Sequence, residues 1–261
     1  MTTPQLRDDG KQTADEMDEH RMPLLDHLRE LRNRVLWAAG ALAIGMMISL
    51  NFVDEIYAWM TDPFLVACED AGIKGGLAMV NTPFESIYTW LAVAFFGGVV
   101  LALPVIALQA WLFIAPGLYN TEKRVVLPLA FSSTVLFLMG ASFAYYVMFP
   151  IAFPFFLTIL ELDISLSVSG YLKAIVKMMI AFGLCFQLPV ISWFLARMGL
   201  IDHIDMTKGF RYAVPCIFLF AALLTPPDPL TQTALGIPLV ILYGVGIVVA
   251  YFASTKVRTE G

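Results

Sequence analysis

The stretch TWLAVAFFGGVVLALPVIALQAWLFI, residues 89–114, contains no charged residue. A helix needs about 20 predominantly apolar residues to cross the hydrocarbon core of a bilayer. Comparable runs are VLWAAGALAIGMMISLNFV (35–53) and VVLPLAFSSTVLFLMGASFAYYVMF (125–149). These runs predict an all-α polytopic membrane protein.

The composition of the chain supports this class. Of its 261 residues, 59% are hydrophobic and 14% are charged, whereas soluble domains average about 45–50% apolar and about 25% charged residues. We expect six transmembrane helices, of which the fifth and sixth are short. Their expected bounds are 35–53, 84–114, 125–149, 171–197, 212–225 and 231–252.

The spans are expected to be bent. Every span after the first contains a proline, which removes a helix hydrogen bond and kinks the helix. Five bent spans favour a curved wall over a straight bundle. These prolines are Pro104, Pro128, Pro189, Pro215 and Pro238.

The positive charges predict the orientation of the chain in the membrane. Thirteen of the 16 lysines and arginines lie in the N-terminal region and in the second, fourth and last polar segments. Both termini are therefore expected to be cytoplasmic. We divide the chain into a disordered acidic tail (1–21), a single six-helix transmembrane domain (22–252) and a cytoplasmic C-terminal tail (253–261).

Catalytic and metal chemistry is not predicted. The three histidines lie outside the expected spans, and neither an HExxH nor a GxxxxGK[ST] motif is present. His27 and Glu30 have the spacing of two ligands on one helix face, but two ligands among arginines make a poor metal site. We therefore expect no enzyme, no cofactor and no metal. No disulfide framework is expected from Cys68, Cys185 and Cys216, although a partner for Cys68 is left open.

Two acidic residues near the expected cytoplasmic face each allow a structural and a functional interpretation. Glu30 precedes Arg34 by four residues, and such a pair supports a helix by a few tenths of a kcal/mol. Glu122 fits the first turn of the third span, where an acid suits the helix dipole. Both residues can therefore be explained without any ligand.

Taken together, the two acids favour a binding site. Phe113 and Leu118 place apolar surface near them at the same face. This combination suits a guest with two adjacent guanidinium groups followed by an apolar stretch, because the arginine fork binds a carboxylate at two points and lysine does not. The apolar stretch is expected to lie in a groove of the second, third and fifth spans.

Four segments make the interpretation more specific: PLLDHLRELRNRV, LPVIALQAWLFIAPGLYNTEKR, FGLCFQLPV and LLTPPDPLTQTALGIP. In this order, they resemble the signature segments of the TatC family, the largest subunit of the twin-arginine protein translocase. The resemblance implies a glove-shaped receptor in the bacterial inner membrane that binds twin-arginine signal peptides. It also implies TatA and TatB as single-span partners, several copies in one complex, and export of folded proteins driven by the proton-motive force.

The resemblance also implies roles by position. The signal-peptide-binding positions are Glu30, Arg32, Phe113, Leu118 and Glu122. The polar cluster that receives a partner's helix is Thr225, Gln232 and Gln187, beside the structural turn Pro226, Pro227 and Asp228. Asp228 is equally explained as an N-cap, since Pro229 follows it.

Gln187 departs from the family pattern. Many relatives carry a glutamate at this position in the fourth span. The position lies ten residues before Arg197 and therefore near the middle of the membrane. A glutamine does not titrate, so the sequence predicts a neutral hydrogen-bonding role here.

Two other functions remain open. A small-solute secondary transporter is the second choice, although such proteins place an ionisable residue near mid-membrane and this chain has Gln187 there. An assembly scaffold without a ligand is the third, and it predicts that Glu30 and Glu122 are dispensable.

Overall fold

The computed structural model describes residues 9–70, 83–114, 125–152, 168–224 and 229–259. These residues are helical throughout except at short breaks and turns. The elements are α1 (Asp9–Leu50), α2 (Val53–Asp70), α3 (Pro83–Ile114), α4 (Val126–Phe143) with a π-helical turn after it (Ala144–Met148), α5 (Val168–Cys185), α6 (Leu188–Arg197), α7 (His203–Leu224) and α8 (Pro229–Thr259).

The prediction of a polytopic helical membrane protein is confirmed. Within the part of the chain that the structure describes, five helical segments are long and apolar enough to cross a membrane. They are His27–Leu50, Phe84–Ile114, Val126–Ala152, Val168–Arg197 and Gln232–Ser254. The expected fifth span is not among these five segments, but most of it lies in α7.

Several helices are longer than expected. α1 begins at Asp9, so residues 9–21, which we expected to be disordered, are helical. α8 continues to Thr259 and therefore includes most of the expected C-terminal tail. A helix that is already nucleated gains one hydrogen bond for each residue added, which favours such extensions. The sixth span is also not short, since its apolar part has 23 residues.

A helix that we did not predict, α2, follows α1 almost directly. α1 ends where the Asn51 side chain donates hydrogen bonds to the carbonyls of Met47 and Ile48, at 2.9 and 3.3 Å. The four-residue spacing of Met60, Phe64 and Cys68 places all three on one helix face, and all three are fully buried.

The buried face of α2 belongs to the main core of the molecule. The core also contains residues from the first half of α3, the π-helical turn and α5, with the adjoining parts of α7 and α8. Two tyrosine hydroxyls donate to α2 carbonyls: Tyr145 to Trp59 at 2.5 Å and Tyr171 to Met60 at 2.9 Å. We call Met60, Phe64, Cys68, Tyr145 and Tyr171 the α2 core.

α1 and α3 cross at glycines. A Cβ atom on Gly45 would lie 2.6 Å from the carbonyl oxygen of Gly98, and one on Gly98 would lie 2.7 Å from the backbone nitrogen of Met46. Only glycine allows two helix backbones to approach this closely, and small residues are typical of helix contacts in membranes. The crossing fixes how the charged end of α1 faces the end of α3.

The expected fourth span is two helices rather than one. α5 ends at Cys185 and α6 begins at Leu188, because Pro189 has no N–H and its ring clashes with the carbonyl four residues earlier. The break leaves Gln187 between the two helices, where its N–H bonds to the carbonyl of Leu184 instead of continuing the α-helical pattern.

α7 begins nine residues before the span that we expected, at His203. Gly199, with a φ of 71°, ends α6, because its left-handed conformation lets the N–H of Leu200 reach the carbonyl of Leu195. At the start of α7, the Asp202 side chain accepts a hydrogen bond from the N–H of His203 at 2.7 Å, and the Asp205 side chain accepts one from the N–H of Asp202 at 3.3 Å. With 22 residues, α7 is about 33 Å long. Its first nine residues include Asp205, Lys208 and Arg211, so the apolar part of α7 is still short.

Candidate functional site

Glu30 lies on α1, one turn before the apolar part of the helix, and its side chain is 34% exposed. One of its oxygens accepts a hydrogen bond from Arg34 Nη2 at 3.1 Å. Arg34 Nη1 donates to the side-chain oxygen of Gln109, on α3, at 3.2 Å. Arg34 therefore bridges the carboxylate on α1 and an amide on α3.

One turn earlier, His27 and Phe113 form a second contact between the same helices. Their rings are stacked, with centroids 4.5 Å apart and an angle of 18° between the planes. We call His27, Glu30, Arg34, Gln109 and Phe113 the Glu30 cluster. The structure thus brings together two of the predicted binding residues, Glu30 and Phe113, although they are far apart in sequence.

The other predicted binding residues are not all described. Arg32 is exposed on α1 and lies among exposed apolar residues, including Leu28, Leu31 and Leu36. Leu118 and Glu122 lie outside the described residues. Glu122 precedes Val125 by three residues, so at most about 11 Å of chain separates the two.

Val125 lines an apolar pocket of about 300 Å³ at the start of α4. The pocket is open on one side and lies between α4, α6 and α8, where Trp193 and Val249 form part of its wall. We expected an apolar groove of the second, third and fifth spans. This pocket, near Glu122 in sequence, is formed instead by the third, fourth and sixth.

Gln187 and Gln232, which we placed in one polar cluster, have separate hydrogen-bond partners in the structure. The side-chain nitrogen of Gln187 donates to the carbonyl of Ser133 at 3.0 Å and to that of Gly183 at 3.3 Å. Gln232 donates to the carbonyl of Phe218 at 2.9 Å. Thr225, Pro226, Pro227 and Asp228 lie outside the described residues.

A polar contact between α3 and α4, next to Gln187, was not predicted from the sequence. The indole N–H of Trp111 donates to the hydroxyl of Ser133 at 2.8 Å, and both side chains are buried. A buried tryptophan needs a partner for its N–H, so the presence of Trp111 in the apolar run 89–114 could have predicted such a contact. Gln109 gave no such signal, because only the structure shows that Arg34 reaches it.

Metal binding gains no support from the described part of the chain. It contains no group of three or more His, Cys, Asp and Glu side chains placed to hold a metal ion. His27 and Glu30 instead contact Phe113 and Arg34.

The helices, their apolar lengths and the charged cluster at one end of α1 define a multi-spanning helical membrane protein. The sequence matches the family model for the Sec-independent protein translocase protein (TatC) over residues 26–238. The chain belongs to the TatC family. Because this is a family of translocase components rather than enzymes, the expectation of a non-enzymatic protein is confirmed.

Curated relatives and solved structures agree with this assignment. The TatC protein of Magnetococcus marinus is 39% identical over 233 residues, which cover 88% of this chain and 84% of the relative. The TatC protein of Helicobacter pylori strain J99 is 36% identical over 230 residues, covering 87% and 88%. A crystal structure of the twin arginine translocase receptor TatC has a TM-score of 0.77 and 32% identity, and it covers 87% of this chain and 99% of its own.

Proposed function

We propose that this chain is the core receptor subunit of a twin-arginine translocase. It binds twin-arginine signal peptides at its cytoplasmic face and nucleates the assembly that exports folded proteins with the proton-motive force. The observation that carries the proposal is the partly exposed Glu30 carboxylate at the charged end of α1. It occurs in a chain whose fold is similar to that of a twin arginine translocase receptor.

The proposed topology has six spans in the bacterial inner membrane, arranged as a curved, glove-like wall with both termini in the cytoplasm. α7 supplies the span beyond the five apolar segments. A membrane-impermeant thiol reagent tests this topology in cells, using a cysteine-free background with either Glu55→Cys or Lys208→Cys. The first cysteine should react in intact spheroplasts and the second only after lysis, whereas the reverse pattern would invert the proposed orientation.

The two signal arginines bind Glu30 and Glu122, with Arg32, Phe113 and Leu118 around them. Hydrogen bonds to charged groups contribute about 1.5–3 kcal/mol each, and less where water screens them. Micromolar binding needs about 8 kcal/mol, so the arginines need additional contacts. We place the first apolar residues of the signal in the pocket at the start of α4, which begins within reach of Glu122.

The partners are the single-span subunits TatA and TatB, and the complex contains several copies of the receptor. Thr225, Gln232 and Gln187 offer the polar groups for a partner's helix, beside the turn of Pro226, Pro227 and Asp228. Polar contacts of this kind between membrane helices are worth about 1 kcal/mol each. Since Gln187 does not titrate, its contribution is to hold a helix contact rather than to carry a proton.

Peptide binding to the protein in nanodiscs tests the receptor function. We expect an Arg-Arg peptide to bind more tightly than a Lys-Lys peptide, and Glu30→Gln or Glu122→Gln to remove this preference. Glu55→Gln is the matched control, because Glu55 is an exposed acid on α2. Equal binding of both peptides to the wild-type protein would overturn the proposal, and so would uptake of a small solute into liposomes without any peptide preference.

A further inference from the structure

Arg34 already occupies the carboxylate that is proposed to receive a signal arginine. Its Nη2 lies 3.1 Å from one oxygen of Glu30, while its Nη1 is directed to Gln109 at 3.2 Å. The side chains of Arg34 and Glu30 are 30% and 34% exposed, so water and a ligand can both reach the pair. The guanidinium is thus divided between a charged and a neutral acceptor.

This division makes the contact with Glu30 replaceable. Arg34 uses a single nitrogen and a single carboxylate oxygen for Glu30, whereas a guanidinium that binds in two-point fashion uses both oxygens. A two-point ligand must therefore remove Arg34 from the shared oxygen. Gln109 offers Arg34 a second acceptor, so the displaced guanidinium keeps a partner on α3 at the edge of the membrane.

We propose that Arg34 is a resident guanidinium that a signal-peptide arginine displaces from Glu30, and that Gln109 retains the displaced Arg34. The inference rests on the proposed function. It assigns Arg34 and Gln109 as positioning residues that set peptide affinity through Glu30.

Displacement has the same cost for every peptide cation that removes Arg34 from Glu30, so it lowers the affinities for arginine and lysine signals by the same factor. The preference for arginine comes from the two-point contact with Glu30, which an ammonium group cannot make because it is a point charge with no fork. Removal of Arg34 should consequently raise both affinities by about the same factor and leave the preference in place.

The decisive measurement is binding of Arg-Arg and Lys-Lys peptides to Arg34→Gln in nanodiscs. We expect the affinity for the Arg-Arg peptide to rise about twofold to fivefold, as suits release of one half-exposed pair. The affinity for the Lys-Lys peptide should rise by about the same factor, so the preference for arginine is kept. A purely structural role of Arg34 predicts the opposite sign, with weaker binding of both peptides.

Two controls separate displacement from a general charge effect. Lys208→Gln removes one positive charge from an exposed position on α7, and it should leave the affinities for both peptides unchanged. In a Glu30→Gln background, Arg34→Gln should give no further gain, because the pair that it would release is already absent. An equal gain in both backgrounds would overturn the inference.

Gln109→Met tests the second acceptor with a side chain of similar volume. Arg34 then loses Gln109 as an acceptor and keeps Glu30, so it is harder to displace. Arg-Arg binding should therefore weaken about twofold. The same change in an Arg34→Gln background should have no effect. A loss of equal size in that background would mean that Gln109 does not act through Arg34.

Arg34→Lys keeps the positive charge, and it tests displacement if the Arg34→Gln variant does not fold. A lysine does not bridge Glu30 and Gln109 as a fork does, so Arg-Arg binding should rise by a smaller factor, whereas a fall would overturn the inference.

The outcomes also separate the two proposals. If Glu30→Gln abolishes the arginine preference while every Arg34 variant binds less tightly, only the displacement fails. If Glu30→Gln has no effect, the proposed binding site itself fails.

Discussion

The Glu30 cluster holds α1 to α3, and the α2 core holds α2 to α5 and the π-helical turn, by contacts of a different kind. In the Glu30 cluster, α1 meets α3 through a half-exposed arginine and a stacked pair of rings. In the α2 core, Met60, Phe64 and Cys68 are fully buried, and Tyr171 donates to a carbonyl of α2. Exposed ion pairs contribute little to stability, whereas buried side chains contribute several kcal/mol each.

This difference suits the proposed function, in which a rigid frame carries a site whose contacts a ligand replaces. A ligand that replaces contacts of the Glu30 cluster gives up little of the protein's stability. Contacts in the α2 core have no such freedom, because their loss leaves a cavity or an unpaired polar group. Substitutions in the α2 core should therefore change stability, and those in the Glu30 cluster should change recognition.

The largest effect on stability is expected from Phe64→Ala. Phe64 is fully buried and contacts Tyr171, with ring centroids 4.6 Å apart. Its truncation should lower the free energy of unfolding by about 3–5 kcal/mol, measured by denaturant titration in detergent. Leu65→Ala is the control on the same helix, since Leu65 is 50% exposed. Equal losses in the two variants would mean that α2 is not held by its buried face.

The next effect is expected at the crossing of α1 and α3. Gly98→Ala places a Cβ atom 2.7 Å from the Met46 nitrogen, so the two helices must separate, at a cost of about 1–3 kcal/mol. The separation should also weaken Arg-Arg peptide binding, because it moves Glu30, on α1, away from the part of the Glu30 cluster that lies on α3.

Gly40→Ala is the matched control for this prediction. A Cβ atom on Gly40 meets nothing within 4 Å, and alanine is the better helix former by about 1 kcal/mol. The control should therefore be neutral or stabilising. If Gly98→Ala behaved in the same way, the close crossing would not set the geometry of the Glu30 cluster.

The sequence predicted the apolar helices well, because a span that crosses a membrane must be long and uninterrupted. The predicted span 84–114 differs from α3 by one residue at its start. The presence of Pro189 indicated a bend, and the structure shows a break beside it. The π-helical turn Ala144–Met148 was not predictable, since no local residue pattern distinguishes it from an α-helix.

The site was only partly predictable from the sequence. Glu30 and Phe113 were identified from the charged and apolar pattern and then matched to the family, but their proximity depends on the packing of α1 against α3. Gln109 was missed because a single glutamine in an apolar run has no distinctive spacing. The polar cluster of Gln187 and Gln232 was predicted from the family resemblance, and it stays a prediction; in the structure, Gln187 donates to the carbonyl of Ser133 and Gln232 to that of Phe218.

An intermediate effect is expected from Tyr171→Phe. The change keeps the ring but leaves the Met60 carbonyl without the 2.9 Å hydrogen bond from the hydroxyl. The free energy of unfolding should fall by about 1–2 kcal/mol, with no change in peptide preference. Tyr146→Phe is the control, because Tyr146 is 62% exposed. A loss of arginine preference in Tyr171→Phe would show that the two regions are coupled, contrary to the comparison above.

The smallest effect on stability is expected from Glu30→Gln. The variant removes one half-exposed pair between residues four apart on a helix, so the free energy of unfolding should change by no more than about 0.5 kcal/mol. The same substitution should nevertheless abolish the preference for Arg-Arg over Lys-Lys peptides.

Salt provides a second test, because it screens exposed charges and affects buried apolar contacts much less. Raising the ionic strength should weaken Arg-Arg binding and leave the unfolding free energy nearly unchanged, whereas a parallel fall of both would mean that the Glu30 cluster also supports the fold.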